Sequence, residues 1–122
     1  MLEISENAIL IRINRLYDEA LSAAELYEAT RGVWVIGSRR EKVELALTVY
    51  KGEIKEVYLV SSWHPAGSTP YESRSEEELK RTGRWEFLGS VATDVIRSKY
   101  KGQSVVDYFP NGSANPIKYV NC

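Results

Sequence analysis

Short apolar runs alternate with polar positions along this chain, and the breaks between runs carry turn and capping chemistry. Residues 8–13 (Ala-Ile-Leu-Ile-Arg-Ile) put Ile9, Ile11 and Ile13 on one face of an extended segment, which predicts a first strand. Ser22 and Glu25 then form an S-x-x-E capping box, Leu21 and Leu26 are spaced for a hydrophobic staple, and Gly32 offers a left-handed stop. The spacing predicts a helix over 23–31. Residues 33–36 (Val-Trp-Val-Ile) read as a short buried strand, and Ser38 with Glu41 repeats the capping pattern before a single helical turn.

The clearest unit follows. Residues 43–50 and 53–60 flank Lys51-Gly52, a two-residue hairpin turn. That turn pairs Val43 with Val60, Leu45 with Tyr58 and Val49 with Ile54, and on the other face Ala46 with Val57 and Thr48 with Lys55. It also sets Glu56 against Leu47, the one awkward pair. Both faces are largely apolar, which predicts a hairpin at the centre of a curved sheet. Residues 64–74 read as a loop from their Pro, Gly and Ser content.

A third capping box (Ser75, Glu78) opens a short helix that Lys80-Arg81 suit electrostatically and Gly83 closes. Residues 84–91 alternate as a strand with Trp85 and Phe87 on one face. Thr93 starts a helix running to Tyr100 and stopped by Gly102, and Ser104 with Asp107 suits one more turn. Asn111-Gly112 and Asn115-Pro116 mark turns before a last strand over 117–120. The order lacks the β-α-β alternation of doubly wound folds. The fold class expected is α+β: a small mixed, strongly curved sheet or β-barrel of about five or six strands with three or four short peripheral helices.

Length and charge narrow the function classes. A chain of 122 residues with 43% hydrophobic content suits one domain over 1–122. Sixteen Lys+Arg against seventeen Asp+Glu leave a net charge of -1, so contact with nucleic acid would need a local basic patch or a base pocket. The single cysteine, Cys122, excludes an internal disulfide and a cysteine-based metal cluster, and no cofactor is implied. Apolar runs of a few residues are too short to span a membrane, and Met1 to Glu6 are unlike a signal peptide, which makes the cytoplasm the expected compartment.

Five sets of residues could carry chemistry. Trp34, Trp63 and Trp85 fall near strand ends, where flat rings can stack on a nucleobase; each also suits a core role. Gly37-Ser38-Arg39-Arg40, with Arg31 upstream, could cradle a phosphate or be a solvated turn, and it lacks the Walker pattern. His64, the only histidine, could hydrogen-bond a ligand from a loop mouth or simply shape a turn. One histidine and one cysteine exclude a standard zinc site, and no G-x-S-x-G elbow is present. Glu41, Glu44, Glu53, Glu56 and Glu86 read as surface charges, although Lys42, Glu86 and Thr48 could serve a hydrolase at a barrel mouth. Asn115, within the Asn111–Pro116 segment, could read a base edge or make a turn.

Arg31-Gly32-x-Trp34, Gly37-x-Arg39-Arg40, the hairpin from Ala46 to Tyr58 and Trp63 together resemble small modules of the PUA-like superfamily, the group that holds the ASCH, EVE, YTH and SRA types. The resemblance implies a compact β-barrel with short helices at its rim and a pocket for a base, nucleotide or modified nucleotide, often in defence or RNA-modification systems. The G-x-K-x-x-E-x-R signature of many ASCH domains and the Tyr-Asp-Gly element of SRA domains are absent, so no catalytic lysine transfers to this chain. Recognition of a nucleotide, a modified base or a single-stranded or flipped nucleic acid is therefore the leading expectation. Trp34, Trp63 and Trp85 would form its aromatic pocket, and Arg39, Arg40, His64 and Asn115 would add polar contacts. The alternatives are a small hydrolase or nuclease using Lys42, Glu86 or His64, and a protein that sequesters a signalling nucleotide.

Overall fold

Two of the three expected capping boxes form, and they set where helices begin. Ser22 Oγ accepts the Glu25 amide and the Glu25 carboxylate accepts the Ser22 amide, opening α1 (Ala23–Arg31). Ser75 and Glu78 do the same for α2 (Glu76–Leu79). The third box is absent: the 3-10 turn Ser38–Lys42 starts one residue too early, with Gly37 at its N-cap and no side-chain cap. Thr93 precedes α3 (Asp94–Tyr100), and Gly102 at φ +87° ends that segment. Val105, not Ser104, holds the N-cap position of the 3-10 turn Val106–Tyr108. Gly32 is extended (φ −162°) and opens a strand instead of turning left-handed.

The computed structural model describes residues 2–14, 17–110 and 114–122, so the Asn111-Gly112 turn lies outside the described residues. Its strands are β1 (Ala8–Arg12), β2 (Gly32–Trp34), β3 (Leu45–Tyr50), β4 (Glu53–Pro65), β5 (Trp85–Val91) and β6 (Ile117–Val120). They form one six-stranded sheet in the order β2-β5-β4-β3-β1-β6. All pairings are antiparallel except β1 with β3. The sheet curls strongly into a half-barrel.

Bulges account for much of the curl, because an extra residue on one strand bends it and increases its twist. Lys51 (φ +48°) and Gly52 (φ +75°) make the expected tight turn, and Val49 faces Ile54 as expected. Beyond that pair a bulge shifts the register by one, so Ala46 faces Tyr58, Leu47 faces Val57 and Thr48 faces Glu56. The shift corrects the expected pairing and removes the Glu56–Leu47 mismatch. Further bulges lie between Val60 and Ser62 and between Gly32 and Trp34. At the first of these, β5 contributes Gly89, where a Cβ would clash with the Leu59 carbonyl.

Alternate residues of β1 feed two cores, which is why its run is apolar on both faces. Ala8 and Leu10 pack with Leu45, Leu47, Val49, Val57 and Tyr100 of α3. Ile9, Ile11 and Ile13 pack with Ala46, Tyr58 and Phe87, joined at the margin by Leu26 and Tyr27 of α1. Among the described residues, no helix is long and apolar enough to cross a membrane.

Candidate functional site

The bulge between Gly32 and Trp34 turns the Trp34 ring to the same side as its cross-strand partner Trp85. Trp63 faces Phe87 across β4 and β5, with ring centroids 5.3 Å apart, and Phe87 lies two residues along β5 from Trp85. Trp63 and Trp85 therefore share one face of the sheet by strand periodicity, and the bulge adds Trp34 from a third strand. Trp63 lies inside β4, and the strand runs on through His64 to Pro65, residues expected in the loop 64–74. Their surroundings differ. Trp34 is half-buried and its Nε1 donates to the Thr30 carbonyl at 2.7 Å, which fixes the ring. Trp85 carries the Arg40 guanidinium 3.4 Å from its ring centroid.

Curling of the sheet brings its two edges to a common opening. β2 supplies Val33 and Trp34, the end of β1 supplies Arg12, Ile13 and Asn14, and the approach to β6 supplies Ala114 and Pro116. The segment through α2 closes the fourth side with Arg74, Glu78, Arg81 and Arg84. Together they line a cleft of about 570 Å³ with four arginines against one glutamate. Glu78 is paired with Arg74 at 3.2 Å, and among the described residues no carboxylate in the lining pairs with Arg81 or Arg84. Arg12 donates to the Asn115 carbonyl at 2.6 Å and stacks on Phe109. Arg84 reaches the Val33 carbonyl at 3.4 Å, and Arg81 is exposed. Arginines clustered beside an indole favour planar anions, because each guanidinium offers a fork of donors and a stacking face.

Behind the cleft, two buried carboxylates hold the loop 66–74. Glu86 is fully buried and accepts the Gly67 amide at 2.7 Å and the Thr69 hydroxyl, with Arg31 3.7 Å away. Arg31, 3% exposed, also donates to Thr69 and the Pro70 carbonyl and stacks 3.6 Å from the Tyr71 ring centroid. Glu28 accepts the Glu72 and Ser73 amides at 2.8 and 2.7 Å and the Ser73 hydroxyl. Burial alone would raise the Glu28 carboxyl, but those donors outweigh it, and Glu28 titrates below the usual carboxylate range. Gly32 lets the layers meet: a Cβ there would strike the Tyr71 hydroxyl and crowd Glu86.

The candidate residues separate on this framework. Trp34 lines the cleft, and Asn115 sits between two residues that do, its carbonyl on Arg12 and its Oδ1 on the Ile117 amide. Arg39 instead donates to the Cys122 carbonyl and stacks on Tyr119, while Arg40 covers Trp85 and pairs with Glu41, so neither cradles an anion here. Arg31 is spent on the loop anchor. His64 faces Glu86 across the strands, but its Nε2 is 2.8 Å from Ser62 Oγ, and the Glu86 oxygens are taken by Gly67, Thr69 and Arg31. Lys42 is exposed, with its carbonyl accepting from Asn7, and Thr48 bonds Thr30; among the described residues no hydrogen bond or ion pair joins Lys42, His64 and Glu86.

Two of the five glutamates read as surface charges are buried. Glu86 holds the loop, and Glu56 is ion-paired with Arg97 at 2.8 Å. Sequence reasoning missed Arg12, Arg74, Arg81 and Arg84 as a group, because they come from two segments distant in sequence, the end of β1 and the stretch 74–84, and converge only through the curl. Comparison with protein-family models, curated proteins and solved structures finds no match for this chain.

Proposed function

We propose that the protein binds single-stranded nucleic acid in the cleft between the edges of the half-barrel. Phosphates would sit on Arg74, Arg81 and Arg84, and a base would stack on Trp34. One observation carries the reading: a chain of net charge -1 places four arginines and one glutamate around a single cleft that also holds a fixed indole. Guanidinium groups packed together repel one another, and an anionic ligand relieves that cost. Among the described residues the lining offers Asn14 and Glu78 beside its arginines, so recognition is proposed to rest mainly on backbone charge and stacking. A curled sheet with short helices at its rim also agrees with the PUA-like resemblance, which stays part of the proposal. Binding is preferred over turnover because Lys42, His64 and Glu86 do not converge.

Titration with labelled single-stranded RNA and DNA of about ten nucleotides, within the usual site size for such grooves, tests the reading. Wild-type protein is expected to bind both with quenching of tryptophan fluorescence. Arg81→Glu, an exposed position, is expected to abolish binding while leaving the circular dichroism spectrum unchanged. Failure of the wild type to bind, or full affinity in Arg81→Glu, overturns the proposal. Preference for a free nucleotide over either oligonucleotide would overturn it in favour of the sequestering function.

A further inference from the structure

The four residues that close the cleft on its α2 side begin with Arg74, the last residue of the loop 66–74, and that loop is tied down at several points. Gly67 and Thr69 bond Glu86, Thr69 and Pro70 bond Arg31, and Glu72 and Ser73 bond Glu28. Arg74, next in sequence, donates through Nη1 to the Glu28 and Gly32 carbonyls and through Nε to Glu78. A buried carboxylate is expensive to desolvate, and here the cost is offset by donors drawn almost wholly from one loop. Such an arrangement defines a single loop position, and a guanidinium held at three points has little freedom left to lose on binding.

We propose that Glu28 is a positioning residue for the cleft: by holding the amides of residues 72 and 73 it presets Arg74 as a phosphate-binding group. This rests on the cleft being the nucleic-acid site proposed above. Glu28 itself touches no ligand. Its carboxylate is committed to Glu72 and Ser73, and it acts only through the residues it holds.

The test uses the whole chain, a labelled single-stranded RNA of about ten nucleotides, and the variants Glu28→Gln, Ser73→Ala, Arg74→Ala and Glu28→Gln/Arg74→Ala. Ser73→Ala removes a single donor and serves where Glu28→Gln fails to fold. Glu28→Gln is expected to weaken binding by about tenfold, the loss of one charge-assisted hydrogen bond, and Ser73→Ala by less. The slope of log affinity against log salt should become shallower by about 0.7, one phosphate contact. Adding Glu28→Gln to Arg74→Ala should cost nothing further, an outcome that general destabilisation would not produce.

Hydrogen exchange separates this proposal from the one beneath it. Amides of residues 72–74 should exchange faster in Glu28→Gln while those of β3 do not. Absence of RNA binding by the wild type sinks the cleft assignment. Loop amides that remain protected in Glu28→Gln sink the positioning role whether or not RNA binds. A loosened loop with unchanged RNA affinity and salt slope also overturns it.

Discussion

Salt dependence offers the sharpest quantitative test of the cleft. Of its four arginines, Arg12 is held on the Asn115 carbonyl and Phe109, which leaves Arg74, Arg81 and Arg84 to displace counterions from a bound strand. Each phosphate neutralised on a single strand contributes about -0.7 to the slope of log affinity against log salt, so three predict about -2.1. Raising the salt from roughly 50 to 200 mM should therefore weaken binding about 20-fold. Arg81→Ala should reduce the slope to about -1.4, since it removes one charge from the lining. Lys51, exposed at the hairpin tip and outside the cleft, is the control: Lys51→Ala should leave the slope unchanged. Fluorescence anisotropy of a labelled strand across a potassium chloride series measures all three. A wild-type slope near zero, or the same slope in Arg81→Ala and wild type, would refute the charge assignment.

Two predictions concern the buried anchors. Glu86→Ala leaves Arg31 buried without its carboxylate and should cost about 3–5 kcal/mol in equilibrium urea unfolding, whereas Glu86→Gln should cost less; a loss under about 1 kcal/mol in Glu86→Ala would show that the pair does not hold the fold. Glu28 and Glu56 both titrate below the usual carboxylate range, Glu56 because the Arg97 and Val57 donors outweigh its burial. Their stabilisation is present above the unfolded carboxyl value of about 4.3 and is lost as pH falls from there through the lowered folded values, so the urea midpoint should drop below about pH 4. Glu28→Gln should make that drop smaller, and an equally steep fall in the variant would remove Glu28 from the account.

Local signals were the most legible. Ser22 with Glu25 and Ser75 with Glu78 act within four residues, and both boxes form where the residue spacing places them. Lys51-Gly52 sets a turn that closes on adjacent residues, and Val49 meets Ile54 as that turn dictates. Apart from the Ser38–Glu41 box, which does not form, the errors arise where a decision needs partners from farther away. The Thr48–Glu56 register depends on a bulge, and a bulge answers to burial on both faces of a sheet whose other strands are distant in sequence. Gly32 looked like a helix stop because its neighbours are helical, yet it is glycine because Tyr71 and Glu86 crowd it. Glu86 read as a surface charge because nothing beside it in sequence reveals Gly67, Thr69 and Arg31.

Composition and periodicity alone indicated a mixed α/β structure with a strand-rich, curved sheet, because those properties follow from spacing along the chain. They also marked Trp34, Trp63 and Trp85 as a set; alternation along β5 puts Trp63 and Trp85 on one face, and only the bulge after Gly32 brings Trp34 to it. Only the tertiary structure decided which of them has access to a charged cleft. Arg12 and Arg81 are far apart in sequence and share a lining because a half-barrel brings its two edges together, and no local pattern encodes where a curled sheet leaves its seam.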